Sequence, residues 1–260
     1  MEENSKHATV DRREKILNML SLEGKVYVHE LSKKFNVSEV TIRNDLDQLE
    51  SKRQLIRARG GAMKLEGNVA ADIMLSDKNK LNYKEKARIG AKAASLINDS
   101  DTIILDSGTT TSEIARNISN IKNLSIITNA INIVNIVAQH QSVNIIIPGG
   151  YLRKNSLSLV GPLAEKNLRN FFVDKAFIGV DGLDSHTGAY TPNIEEAHLN
   201  EIMISIAKEV IIVADSSKFK RKSLAFICPL EKITTIITDD GISPEDQKRL
   251  SEKGINVIIA

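Results

Sequence analysis

From Thr102 to the C-terminus the sequence keeps returning to short aliphatic runs separated by stretches of helical periodicity. No other feature restricts the fold of the 260-residue chain as strongly. The runs are Thr102–Leu105, Leu124–Thr128, Val143–Ile147, Ala176–Val180, Val210–Ala214, Thr234–Thr238 and Val257–Ala260, and helices are expected to start near Ser112, Ala130, Pro162, Ile194 and Pro244. A strand that is apolar on both sides must be shielded on both sides, so this rhythm predicts a mostly parallel sheet covered by helices on each face. The expected α/β domain spans residues 84–260. Ligands of such sheets bind beyond the carboxyl ends of the strands, which directs attention to the loops there.

The N-terminal quarter follows a different plan. Ile16, Leu17 and Leu20 give Arg12–Leu22 a helical apolar face, and Gly24 is a helix stop. Val26–Val28 is β-prone, and a short helix follows over His29–Phe35, with Leu31 and Phe35 four apart. After the Asn36-Val37 turn, Ser38 is a good N-cap for a third helix, Val40–Glu50, whose inner face is Ile42, Leu46 and Leu49. Leu55–Met63 reads as a hairpin around Gly60 and Gly61, carrying Arg57 and Arg59. This order predicts a winged helix-turn-helix over residues 1–63, with the charged, aperiodic segment 64–83 as a linker.

Between Lys33 and Lys64 there are eight basic residues and four acidic ones, a local excess suited to a polyanion. On the outer face of the third helix, Arg43 is placed to chelate guanine edges and Asn44 to read adenine. Thr41 or Val40 can touch a thymine methyl group. Ser38 and the helix N-terminus suit a phosphate, and Arg57 and Arg59 would be the wing's phosphate or minor-groove contacts. Taken alone, the third helix is also compatible with an ordinary solvated surface; the whole order of elements favours DNA.

Composition narrows the remaining classes. A hydrophobic fraction of 42% and a charged fraction of 26% are those of a globular protein with a real core, and the net charge is only +2. Cys228 is the sole cysteine, so no intrachain disulfide and no multi-cysteine zinc site can form. The five histidines show no metal-ligand spacing, and there is neither a Walker A sequence nor a dinucleotide fingerprint. No metal and no cofactor are expected. Met1–Thr9 lacks an apolar core and no run of about eighteen apolar residues occurs, which predicts a cytoplasmic protein without a membrane span.

Arg13-Glu14-Lys15-Ile16, the block from Val37 to Leu46, and Arg59-Gly60-Gly61-Ala62 resemble the DeoR-type family of bacterial sugar-catabolism repressors. The similarity continues through Asp106–Thr111, Thr128-Asn129, Pro148-Gly149-Gly150, Gly179–Gly182 and Ala214–Phe219, and so covers most of the chain. The run Ile104–Ala115 is similar to the branch that represses N-acetylgalactosamine utilisation genes. This resemblance implies a C-terminal sensor domain with a fold like that of sugar-phosphate isomerases, a phosphorylated sugar as effector, operator DNA as partner, and a homo-oligomer, dimer or tetramer.

The residues themselves support a polar crevice. Asp106-Ser107-Gly108-Thr109-Thr110-Thr111 follows a strand and opens a helix, offering backbone N–H groups, hydroxyls and a helix dipole to an anion. Thr128, Asn129, Gly149 and Gly150 follow other strands. Arg153 and Lys218 are candidates to pair with phosphate, and Asp181, Glu195 and Glu196 to hold sugar hydroxyls. Each of these residues alone could equally be a cap or a surface group. An isomerase is the rival reading, since Asp181 and Asp184 match an aspartate-glycine loop of those enzymes and Glu195 or Glu196 would serve as base. Against it, His186–Asn193 contains no lysine where those enzymes carry one. A third reading is a DNA-binding oligomer with no small-molecule effector.

Overall fold

The computed structural model describes residues 11–20, 25–51, 54–58, 60–64, 72–118 and 121–260. The chain divides into two compact units, residues 1–68 and 69–260.

In the first unit, α1 (residues 11–20), α2 (Val28–Phe35) and α3 (Glu39–Ser51) enclose a core of Ile16, Leu20, Leu31, Ile42, Leu46 and Leu49, closed by Leu55 and Ala62. Asn36 ends α2 in the left-handed conformation (φ 51°), and the Ser38 hydroxyl accepts the Thr41 N–H at 3.1 Å, as an N-cap should. β1 (Lys25–Tyr27), β2 (Leu55–Ala58) and β3 (Gly61–Lys64) form an antiparallel sheet in the order β1-β3-β2. Gly60 supplies the positive φ of the turn (81°). Gly61 is required for close packing instead, because a Cβ there would stand 2.0 Å from the Val26 carbonyl oxygen, so only glycine lets β1 close against the hairpin.

The second unit is built on seven strands: β4 (Thr102–Leu105), β5 (Leu124–Thr128), β6 (Val143–Ile146), β9 (Val173–Gly179), β12 (Ala207–Val213), β14 (Thr235–Thr238) and β15 (Asn256–Ile259). They are the seven apolar runs of the sequence, paired in parallel in the order β15-β14-β12-β9-β4-β5-β6. Alternate residues feed opposite cores. Ile104, Ile178, Ile212 and Ile236 pack under α8 (Pro162–Leu168) and α9 (Ile194–Ser205). Ile103, Leu105, Phe177, Ile211 and Ile237 pack under α5 (Tyr83–Ala94), α6 (Thr109–Asn117) and α7 (Ile131–Val137). Helix α10 (Pro244–Glu252) precedes the edge strand β15. α5 and α6 cross so closely that a Cβ on Gly90 would come within 2.4 Å of the Glu113 Cβ.

Three parts differ from the sequence reading. A hairpin of β7 (Tyr151–Arg153) and β8 (Ser158–Val160) was not expected, nor was an antiparallel sheet of β10 (Gly182–Asp184), β11 (Gly188–Thr191) and β13 (Ala225–Cys228). The third is the expected linker 64–83, whose part from residue 72 onward belongs to the second unit and forms α4 (Leu75–Lys78) and the start of α5. Leu75 is buried, its N–H donates to the Asn155 carbonyl at 2.7 Å, and Lys78 pairs with Asp181 at 2.8 Å. The segment is held by single polar contacts rather than by an apolar stripe, so it has no periodicity to read.

One carboxylate organises the first unit. Asp45 on α3 is 1% exposed and receives the Arg12 Nε at 2.5 Å and the Arg13 Nε at 2.7 Å, tying α1 to α3. Removing it leaves two guanidinium groups half-buried without a partner. Asp45→Ala should destabilise this unit by about 2 kcal/mol, read as a lower midpoint for the first transition in thermal unfolding. An unchanged midpoint would contradict this role.

Candidate functional site

Two surfaces carry functional groups. On the first unit, the outer face of α3 presents exposed Val40, Arg43 and Asn44, with Thr41 half-buried. Arg43 Nη2 lies 2.6 Å from Glu39 Oε2, and the Ser38 and Thr41 hydroxyls share a hydrogen bond of 2.8 Å. An exposed i,i+4 ion pair is worth little, so Glu39 does not withhold Arg43 from a stronger acceptor. Arg57 is placed otherwise than expected. Its Nε pairs with Asp47 at 2.9 Å and its Nη1 donates to the Gly61 carbonyl at 2.8 Å, while its N–H donates to Glu50, so the side chain fastens the wing to α3. Arg59 lies outside the described residues.

In the second unit a pocket opens beyond the carboxyl ends of the parallel strands. Asp106, Ser107, Gly108, Thr109 and Thr110 line it from the β4–α6 loop, Gly179, Val180 and Asp181 from the end of β9, and Lys218 from the turn after β12. Eight residues expected at a ligand site meet here: Asp106, Ser107, Gly108, Thr109, Thr110, Asp181, Glu196 and Lys218. The Thr109 and Thr110 side chains and the first backbone amides of α6 stand at the positive end of that helix.

The other expected residues lie outside the lining. Thr111 is fully buried, its hydroxyl accepting the Gly108 N–H at 2.8 Å and donating to backbone carbonyls, which locks the loop. Thr128 accepts the Ala130 N–H, and Asn129 donates to the Leu159 carbonyl, so both hold the turn after β5. Gly149 and Gly150 take positive φ (80° and 116°) in the turn into β7. Arg153, expected on a phosphate, instead donates to Glu196 Oε1 at 3.1 Å and to Ser156 at 2.9 Å and pairs with Asp72; it does not line the pocket. Glu195, in the first turn of α9, is half-buried and also outside the lining. Asp184 closes the β10–β11 turn by accepting the N–H groups of His186 and Thr187.

Sequence reasoning missed Lys78, Lys86, Asn155, Thr191 and Asn200, all on the wall. For Lys86 there was a signal: it shares a helical face with Ile89, Gly90 and Ala93, and a lysine inside an apolar stripe asks for a partner. Its Nζ donates to the Lys78 carbonyl at 2.6 Å. For Lys78 there was none.

A winged helix-turn-helix in the same chain as an α/β unit with a polar pocket is the build of a transcription regulator. Residues 12–67 match the family model described as the DeoR-like helix-turn-helix domain, and residues 81–240 match the DeoR C terminal sensor domain. The chain belongs to the DeoR family of transcriptional regulators and is a regulator rather than an enzyme. It is 39% identical over 252 residues to a protein of Escherichia coli O157:H7 named as a putative aga operon transcriptional repressor, covering 96% of this chain and 94% of that one. It is 32% identical to the lactose phosphotransferase system repressor of Lactococcus lactis, over 93% of this chain and 95% of that one. Among solved structures it is distantly similar to ribose 5-phosphate isomerase A from Methanocaldococcus jannaschii, with 18% identity, 53% and 55% of the two chains covered and a TM-score of 0.40; nothing about chemistry follows from this.

Burial and charge set the protonation of the pocket. Asp106 is 4% exposed, and burial pushes its carboxyl up to about 7 against the pull of the Gly179 N–H and the Thr111 hydroxyl. Its Oδ1 has no hydrogen-bond partner. Burial, reinforced by the neighbouring Lys218 ammonium, lowers Lys86 to about 8. At Asp181 burial opposes ionisation, yet Lys78 and Lys218 hold the carboxyl below its usual range. The raised Asp106 means that the folded chain binds a proton more readily than the unfolded one between about pH 4 and 7. This group's stabilising contribution is therefore full below pH 4 and lost as pH rises to 7. Relative to Asp106→Asn, the wild type should lose melting temperature progressively over that window; parallel pH profiles for the two proteins would refute this assignment.

Proposed function

We propose that this chain represses sugar-metabolism genes by binding operator DNA through α3, and that a phosphorylated sugar in the pocket of the second unit relieves repression. The observation that carries this reading is the make-up of the pocket wall. Lys78, Lys86, Lys218 and the N-terminus of α6 offer cations and backbone donors for a phosphoryl group. Asp106, Asp181, Glu196 and Asn200 offer acceptors and an amide for hydroxyls. The unpartnered Oδ1 of Asp106 is an acceptor awaiting a donor. The aga operon and the lactose phosphotransferase system in the relatives' names support a carbohydrate effector.

On DNA, Ser38 and the N-terminus of α3 contact phosphate, while Val40, Thr41, Arg43 and Asn44 meet base edges. One such head covers few base pairs, so specificity calls for paired heads on repeated half-sites and hence for a dimer or tetramer acting in the cytoplasm.

A thermal-shift panel of pentose, hexose and amino-sugar phosphates should give at least one stabilising compound, and Lys218→Met or Thr109→Val should weaken it about tenfold. Silence across the panel would refute the effector reading. Arg43→Ala should reduce affinity for the DNA upstream of the chain's own gene cluster by ten- to a hundredfold, about 1–3 kcal/mol, with non-specific binding little changed. Full retention of specificity, measured by fluorescence anisotropy against competitor DNA, would remove Arg43 from the interface.

A further inference from the structure

The pocket contains one more carboxylate than ammonium groups: Asp72, Asp106, Asp181 and Glu196 against Lys78, Lys86 and Lys218. Asp72 and Glu196 are held by Arg153, and the Lys86 Nζ donates to the Lys78 carbonyl, which leaves Asp181 as the carboxylate that holds the ammonium groups of Lys78 and Lys218. A phosphate that binds Lys78 or Lys218 takes that ammonium group from a carboxylate that already holds it.

Asp181 is the carboxylate able to give one up. It is shared by Lys78, at 2.8 Å, and Lys218, at 3.6 Å, so losing either ammonium group leaves it paired with the other. That avoids the large penalty of a buried charge left without a partner. Glu196, by contrast, is bound by both Arg153 and the Ser158 hydroxyl.

Lys78 differs from Lys218 in what it is attached to. Lys218 belongs to a turn fixed by the Asp215 carboxylate, which accepts the Ser217 N–H. Lys78 belongs to the segment from Asp72 to Asn82, which crosses the pocket wall and is held almost wholly by polar ties. Asp72 pairs with Arg153 and accepts from the Asn155 amide at 3.1 Å, and the Leu75 N–H donates to the Asn155 carbonyl. The Lys78 carbonyl accepts from Lys86, and the Asn82 amide donates to Asp215 at 2.8 Å. Asn155 and Lys86 themselves line the pocket. In sequence, Asp72 lies eight residues beyond Lys64, the last residue of the wing strand β3.

We propose that Lys78 exchanges Asp181 for the phosphoryl oxygens of the effector, and that residues 72–82 act as a strap whose attachment to the sensor unit changes when the ligand binds. The inference rests on the effector reading given above and adds to it the element that senses occupancy. The strap begins eight residues beyond the wing strand and is the described part of the sensor unit nearest to it in sequence.

The test uses the full chain with inorganic phosphate as probe, thermal shift as the measure of binding and amide hydrogen exchange as the measure of the strap. In the wild type, saturating phosphate should shift exchange of the amides of residues 75–82 by at least about threefold. Lys78→Met should weaken phosphate about tenfold and abolish that shift, with Lys78→Arg restoring both. Asp181→Asn should bind phosphate more tightly, because the competitor for Lys78 is gone. A merely structural Asp181 would give the opposite. Phosphate binding with unchanged strap exchange, or weaker binding by Asp181→Asn, would overturn the exchange while leaving the pocket reading intact. If neither phosphate nor any sugar phosphate stabilises the wild type, the pocket reading itself fails and the strap with it.

Discussion

The second unit rests on a sheet that is buried on both faces. Where helices cover β4, β5, β9 and β12 the buried side chains are mostly apolar, because a polar group there loses its hydration and must find a partner, as Lys175 finds Asp101. Polar chemistry is thereby pushed to the residues just past the end of each strand. Asp106, Asn129, Asp181 and Asp215 all lie there. The pocket follows from this exclusion: loops gathered at one edge of one sheet, with the N-terminus of α6 among them.

Inside the pocket, burial turns placement into chemistry. Asp106 is buried beside Gly108 and Gly179, and burial raises its carboxyl. Lys78 and Lys218 hold Asp181 ionised in the same crevice. Two aspartates on the same crevice thus differ in protonation, one inclined to share a hydrogen with a ligand and the other bound to cations. A pocket so divided presents ammonium groups and oxygen acceptors on one wall.

The first unit solves a different problem. With few residues it must hold α3 rigid while leaving its outer face uncommitted. The Asp45 pairs with Arg12 and Arg13 act from the buried face and Arg57 acts from the wing through the exposed Asp47, while Val40, Arg43 and Asn44 stay exposed. On that surface Arg43 is paired with Glu39, an interaction weak enough to yield.

The sequence alone determined the elements whose residues repeat. The seven strands were legible because a two-sided apolar strand cannot be disguised, and the helix-turn-helix because Ile42, Leu46 and Leu49 keep a helical period behind a capping serine. The β4–α6 loop and Asp181 were legible because strand ends are where such sheets bind. Tertiary structure decided the rest. Arg153 and Arg57 look like phosphate ligands in sequence and are internal ties in space, since a basic side chain carries no mark of its partner. The strap around Lys78 looked like a linker because contacts made one at a time, to residues about eighty or a hundred positions away, leave no periodic trace. Periodicity reports which face is buried; only folding reports which charges meet.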